Sequence, residues 1–529
     1  MKKILSLILA LCIVLSMGAM AFAEEDTLGI SSTGTNYLCD ERTTLTVCTY
    51  DGVSQAFKAI GNDLRFWQWL EEYTNVHIEW EVHSNADYGT VVTTRLASGE
   101  IGTDIMNVSS ILNGVNAGMA GLATPLSLDN MPNIVAYDRD VLPIIITNNT
   151  AADGNIYTIS GNVSPNIGHI CFMYNTEWLE KIGKKVPTTL EEFYDVCVAM
   201  KEAGDLNGNG EADEIVLTAP GIGTVVNMLG NSFGLIQYED CDAFSVDADG
   251  KVYAEIVTEA ERECWEYVAK LYKEGILDKG ISKSSADEMS QKIAADKVGI
   301  FIYYSAFSIT YGKLTPAGQA DPTGCHYAMG EALTGPRGDK FYSLRNRAGG
   351  DSCIVNAKSD KIDLATRWLD VLTCDPVVLK VRTCGWEGEH YTIDDAGEMH
   401  LIMPEDGSAW SISDLGCGQI AMPHYQNYDQ LMNSKRNIQW YMDQYNAILE
   451  NSDWVAPGVP IIGAYTEEEQ ELIDNSKEDC NAYFKEMRAK FITGEEDIAT
   501  GWDSYVETIY ALGLNDWIEA EQMIYERTK

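Results

Sequence analysis

The chain has 529 residues, 45% of them hydrophobic, with 80 acidic side chains against 37 basic and a formal charge of −43. That apolar content is enough for two or more packed cores and rules out an intrinsically disordered chain. A field of this sign repels nucleic acid and anionic lipid headgroups and opposes a polyanionic ligand, while a neutral or cationic ligand, such as a neutral sugar, is not opposed.

The first elements set the compartment. Met1-Lys2-Lys3 precedes an uncharged apolar run from Ile4 to Met20, and Ala21-Phe22-Ala23 puts small residues three and one before Glu24. This reads as a secretory signal peptide over residues 1–23 rather than a membrane anchor, leaving a mature chain with a charge near −45. Cys12 follows Leu9-Ala10-Leu11 and lacks the small residue that a lipid-attachment site places before its cysteine, so no lipid anchor is expected. Twelve cysteines remain, scattered and without a C-x-x-C pair, which supports neither a zinc ribbon nor a thioredoxin-like motif. Several, such as Cys197 and Cys264, fall on apolar helical stripes, where free thiols pack as small hydrophobes.

Residues 24–42 are polar and read as a flexible leader. Strands and helices then alternate. Thr44–Tyr50 reads as a strand, 66–74 as a helix, Val76–Val82 as a strand of period two, 88–97 as a helix and 104–108 as a strand. A second set follows. A helix opens on the capping-box spacing Thr189-Leu190-Glu191-Glu192 and ends at Gly204; a further apolar stripe runs from Cys264 to Gly275. Lys297–Tyr304 and Ser352–Val355 read as strands, and a helix carries Leu364, Trp368 and Leu372. The tail from Thr466 is largely helical and starts with another capping box. The βαβα rhythm implies open, mostly parallel sheets flanked by helices.

Tyr174-Asn175-Thr176-Glu177-Trp178-Leu179-Glu180-Lys181-Ile182-Gly183, followed by Val186-Pro187-Thr188-Thr189-Leu190-Glu191-Glu192-Phe193, resembles a signature of extracellular solute-binding proteins, family 1, of ABC importers. Leu96–Glu100, Leu271–Asp278, Gly388–Thr392 and Phe491–Glu495 resemble further landmarks in family order. The nearest subgroup by resemblance is the large lipoprotein-like binders of Gram-positive bacteria and the alginate-oligosaccharide binders. The resemblance implies an α/β, two-lobed, periplasmic-binding-protein-like fold of type II with a hinge. It places lobe one at 43–166 and 351–414 and lobe two at 167–350 and 415–529. It also implies an interlobe cleft for solute, ABC permease subunits as partners, a monomer, and no catalysis. Many relatives carry a lipid-attached cysteine; this chain departs from that.

Asp205-Leu206-Asn207-Gly208-Asn209-Gly210-Glu211-Ala212-Asp213-Glu214 offers Asp, Asn and Asn at positions 1, 3 and 5 of a calcium loop, with Gly at 6. Position 12 is Val216, so the loop departs from an EF-hand, and Asp213 and Glu214 are the expected replacement carboxylates. The Glu211 carbonyl completes the expected set: Asp205, Asn207, Asn209, Glu211, Asp213 and Glu214 around a structural calcium. The resemblance to alginate binders implies the same site.

Sugar sites need aromatic faces and polar groups, and open α/β sheets present ligands at the carboxyl ends of their strands. On that rule the candidate ligand contacts are Tyr50, Asp51, Ser109, Asn227, Phe233, Tyr304, Arg345 and Trp386. Trp67 and Trp265 are assigned to cores. The sequence has no H-E-x-x-H or Walker A motif. A secreted glycoside hydrolase and a peptide importer subunit are the alternatives to capture of a neutral oligosaccharide.

Overall fold

The computed structural model describes residues 35–528 except 54–57, 142–144, 152, 162–169, 237–243, 306–307, 309–326, 344–349, 396, 398, 403–412, 419–420, 424, 426–438, 456–458 and 460–464. The signal-peptide segment and Arg345 lie outside the described residues. The described residues form two compact units, one within 1–163, 349–403 and 410–434, the other within 164–348, 404–409 and 435–529.

In the first unit the chain runs β1 (Thr43–Tyr50), α1 (Arg65–Thr74), β2 (Val76–His83), α2 (Asn85–Ser98), β3 (Ile105–Asn107), α3 (Ile111–Met119), α4 (Pro132–Asp140) and β4 (Ile159–Gly161). The second unit follows with β5 (Ile170–Asn175), α5 (Leu190–Ala203), β6 (Ile215–Thr218), α6 (Ile222–Gly230), α7 (Glu259–Lys273), β7 (Val298–Tyr304) and β8 (Tyr327–Met329). The first unit resumes with β9 (Gly350–Val355), α8 (Ile362–Cys374) and α9 (Pro376–Cys384). The tail adds α10 (Glu467–Asp474), α11 (Lys477–Thr493), α12 (Ile498–Ile509) and α13 (Asn515–Thr528) to the second.

The first sheet has the order β2-β1-β3-β9-β4. β1 pairs in parallel with β2 from Thr43↔Val76 to Tyr50↔His83, and with β3 at Val47↔Ile105. β9 runs antiparallel to β3 and to β4. Leu45, Val47, Cys48 and Thr49 of β1 are all buried, the pattern of a strand covered on both faces. The α1–β2 turn is tight because Asn75, at φ 60°, sits in the left-handed region and returns its N–H to the Glu71 carbonyl.

The second sheet has the order β8-β5-β7-β6, and only β6 with β7 is parallel; β5 runs antiparallel to both neighbours. The expected mostly parallel arrangement therefore holds for β1–β3 and fails here. A second core sits under the tail helices, where Trp265 of α7 packs against Phe484, Phe491, Trp502 and Tyr505. Trp67, T-shaped at 4.9 Å from Trp80, fills the first unit's interior.

One segment differs from its expected unit. Described residues between 415 and 425, expected in the second lobe, belong to the first. The Ala421 carbonyl accepts from the Thr49 hydroxyl at 2.5 Å and from Asn107 Nδ2 at 2.9 Å. The Pro423 carbonyl accepts from the buried Arg382 guanidinium at 2.7 Å. Buried donors on β1, β3 and α9 need acceptors, and this segment supplies them.

Candidate functional site

β1, β2 and β3 end on one edge of the first sheet, where an open α/β sheet presents ligands. Tyr50 closes β1, half-buried, and its hydroxyl donates to Asp351 Oδ1 at 2.6 Å. Burial raises the Asp351 pKa, against hydrogen bonds from Tyr50 and Asn107 that lower it. Burial first and Asp351 second push Tyr50 up, so it remains a neutral phenol. The ring lies 5.6 Å from that of Tyr88. Asp51, next in the chain, folds into a turn in which its carboxylate accepts the Val53 N–H at 3.1 Å. Ser109, beyond β3, is exposed, and its N–H donates to Asn107 Oδ1 at 2.8 Å.

Among the described residues four non-glycine positions have positive φ, and two of them, Ser109 at 67° and Asp351 at 47°, lie at this edge. Such backbone costs on the order of 1 kcal/mol or more per residue and clusters at ligand sites. The sequence reading missed Asp351, whose signal is the Gly-Gly-Asp run opening β9. The other candidate in this unit, Trp386, is 6% exposed. The Arg65 guanidinium lies 4.1 Å above its ring and holds Glu389 with two bonds of 2.7 Å. Trp386 is thus part of the packed interior, with a cation already on one face.

In the second unit Tyr304 ends β7, partly exposed, its ring 4.6 Å from that of Tyr303. Tyr303 was not among the sequence candidates, although two aromatics in succession at a strand terminus are the available cue. The other two candidates of this unit, Asn227 and Phe233, lie in its interior, at 4% and 6% exposure. α6 is apolar around nearly its whole circumference, so Asn227 is carried inside with its neighbours. Phe233 packs 5.9 Å from Tyr267.

The 205–214 loop links α5 to β6. Gly208 and Gly210 take φ of 78° and 88°, which a side chain would resist. Asp205 Oδ2 accepts the Gly210 N–H at 2.9 Å, and Glu214 Oε1 accepts the Leu206 N–H at 2.6 Å. Asp213 Oδ1 accepts from the side-chain amides of Asn207 (3.4 Å) and Asn209 (3.1 Å). Asp213 Oδ2 meets Lys297 Nζ at 2.5 Å, which lowers the Asp213 pKa and raises that of Lys297. The donors are hard oxygens gathered on one short loop, which fits calcium in chemistry. Turning the two Asn amides over would present their oxygens in place of nitrogens.

The sequence model of the family described as bacterial extracellular solute-binding protein matches residues 51–376. The chain is 24% identical over 495 residues to the fructooligosaccharide ABC transporter substrate-binding protein FusA of Streptococcus pneumoniae, covering 88% of this chain and 87% of that one. Among solved structures, alginate-binding protein AlgQ2 without calcium ion superposes with a TM-score of 0.70 at 21% identity, over 93% of this chain and 100% of that chain. The FusA EF-hand mutant of S. pneumoniae in complex with fructo-nystose also gives 0.70 at 21% identity, over 92% of this chain and 99% of that chain. Their shared fold is the two-lobed α/β architecture. No helix among the described residues is long and apolar enough to cross a membrane.

Proposed function

We propose, from the premise that this chain belongs to the bacterial extracellular solute-binding protein family and is therefore a binding protein rather than an enzyme, that it captures a neutral oligosaccharide and delivers it to the permease of an ABC importer. The observation that carries the ligand class is the edge at Tyr50. A half-buried aromatic ring, fixed by its hydroxyl on Asp351, stands beside the exposed Ser109, which is the mixture of apolar face and polar groups that a pyranose or furanose needs. Within the second unit, Tyr303 and Tyr304 form a partly exposed T-shaped aromatic pair at the end of β7. FusA and AlgQ2 are by name binders of a fructooligosaccharide and of alginate, which supports a saccharide. The charge of −43 favours the neutral one.

Two features complete the reading. Residues 1–23 direct export and are removed before Glu24, without lipid on Cys12. Asp205, Asn207, Asn209, the Glu211 carbonyl, Asp213 and Glu214 would hold one calcium, which supplies a structural staple between α5 and β6. The relatives' names, one without calcium and one an EF-hand mutant, support this assignment.

The test is calorimetry of the mature chain against kestose, nystose and other neutral oligosaccharides, with uronides and peptides as controls. Saturable binding of a neutral oligosaccharide without turnover is expected. Binding of peptides alone would remove the saccharide and leave the importer; steady cleavage of a bound sugar would remove both.

A further inference from the structure

A second cluster of polar side chains lies beside Tyr50 and serves no role in the reading above. In the β1–β2 ladder Cys48 is the register partner of Glu81, and Tyr50 that of His83. Residues 81 and 83 are two apart and share a face of the sheet, and the pairing places Cys48 on that face. One ligand atom from each of Cys48, Glu81 and His83 lies within 4.8 Å of the other two, the one such group among the described residues. We propose that Cys48, Glu81 and His83 form a binding site for a zinc-class transition-metal ion, independent of the oligosaccharide reading and of the calcium loop.

The donor set carries the metal class. Thiolate, imidazole and carboxylate together suit zinc or cobalt(II), whereas calcium and magnesium take oxygen only. Ligand bonds of about 2.0–2.3 Å around a tetrahedral ion put the donors roughly 3.5 Å apart, close to the present spread of at most 4.8 Å. His83 Nε2 now meets Glu81 Oε1 at 2.8 Å, and that contact would open as the ion enters between them. Entry is from the side of Glu81 and His83, whose side chains are 38% and 31% exposed, while Cys48 lies buried beneath. A fourth position is left to water. Burial holds Cys48 as a thiol, with its pKa pushed up to about 11, so the ion must displace its proton, which leaves to solvent. The Tyr88 hydroxyl, 3.9 Å from the sulfur and donating to the Cys48 carbonyl at 3.1 Å, borders the site.

Arg95 is the resident competitor. Its guanidinium pairs with Glu81 and donates to the Ile101 carbonyl at 2.8 Å, so without an ion it is the cation that neutralises the carboxylate. Two anionic ligands balance a divalent ion, and Arg95 then adds an uncompensated charge that weakens binding.

The test uses the mature chain, reduced with a non-chelating phosphine, stripped of metal and titrated with cobalt(II). One equivalent should give tetrahedral visible bands and a thiolate-to-cobalt charge-transfer band, both displaced by zinc. Cys48→Ser should lose the charge-transfer band while melting as a folded protein. His83→Gln should weaken binding tenfold or more, and Arg95→Met should tighten it. Cobalt in the oxygen-only 205–214 loop would give no thiolate band, so the two sites are distinguished. Absence of the bands in the unaltered chain, or an unchanged spectrum in folded Cys48→Ser, would overturn the proposal.

Discussion

A tyrosine hydroxyl that donates to a buried carboxylate has fixed its ring and spent its proton, so toward a ligand it offers an apolar face and an acceptor. Tyr50 is in that position through Asp351. Tyr50→Ala should weaken oligosaccharide binding by about 1–3 kcal/mol, the scale of losing a buried aromatic contact. Tyr50→Phe should lose only a few-fold, and calorimetry on the two variants separates ring from hydroxyl. Equal affinity of Tyr50→Ala and the parent would remove Tyr50 from the site. At this scale the sequence was a partial guide. Strand ends nominate Tyr50, Ser109 and Tyr304 as candidates, and the structure has them at or just beyond strand termini, since position along a strand follows from periodicity. Asp351 was invisible because its role depends on β9 lying two strands from β1 in the sheet, a neighbourhood set by topology. Trp386 shows the converse: nothing local announces that Arg65 will lie over its ring.

At the scale of elements, helix ends account for much of the local order. Thr189 accepts the Glu192 N–H at 3.1 Å as the capping-box spacing implies, yet Glu192 turns to the Thr188 N–H at 2.9 Å instead of to Thr189. Bonds from Thr334 hold the chain on either side of Thr189 and shift the reciprocal half of the box. Thr466 and Glu469 form both halves, and Arg527 braces Glu469 at 2.8 and 3.0 Å. Element existence was legible because periodicity and caps are local, whereas strand direction in the second sheet was not.

α4 and α8 are joined by a less common device: Asp370 of α8 accepts the N–H groups of Asn133 (3.2 Å) and Ile134 (2.8 Å) at the α4 N-terminus. Burial nevertheless pushes the Asp370 pKa up to about 6, outweighing those donors. A carboxyl whose folded pKa is raised binds its proton more tightly in the folded chain, so its contribution to stability is greatest below about pH 4 and is lost as pH rises through about 6. The span is on the order of 2–3 kcal/mol. Asp370→Asn should flatten the stability slope between those limits, measured by urea midpoints at pH 4.5 and 7; an unchanged slope would assign it to other groups.

The calcium loop belongs to the same scale. An ion bound only by the folded chain raises stability by mass action, about 2.7 kcal/mol at a hundredfold excess over its dissociation constant. EDTA should therefore lower the melting temperature, and Asp205→Ala with Asp213→Ala should abolish that response. Lys297→Met, which removes the ammonium now on Asp213, should raise calcium affinity. A melting temperature indifferent to EDTA in the parent chain would dismiss the site.

Across the whole molecule the charge of −43 acts on every solute that approaches, and its effect has a different sign for each class. A neutral oligosaccharide gains or loses nothing from the field, so its affinity rests on contacts at the sheet edges. A uronide is repelled, and calcium is attracted. Salt shortens the reach of the field from about 10 Å at 0.1 M to about 3 Å at 1 M, so it relieves the repulsion and weakens the attraction together. Between 50 and 500 mM sodium chloride, neutral oligosaccharide affinity should change less than about twofold, since no net ligand charge is coupled to the ions. Over the same range any residual uronide binding should tighten, and calcium should bind more weakly. Calorimetry with the three solutes at both salt concentrations reads all three signs from one preparation. A neutral sugar whose affinity followed the uronide's would mean that binding moves charged side chains, and the sheet-edge aromatics would then not be its principal contacts.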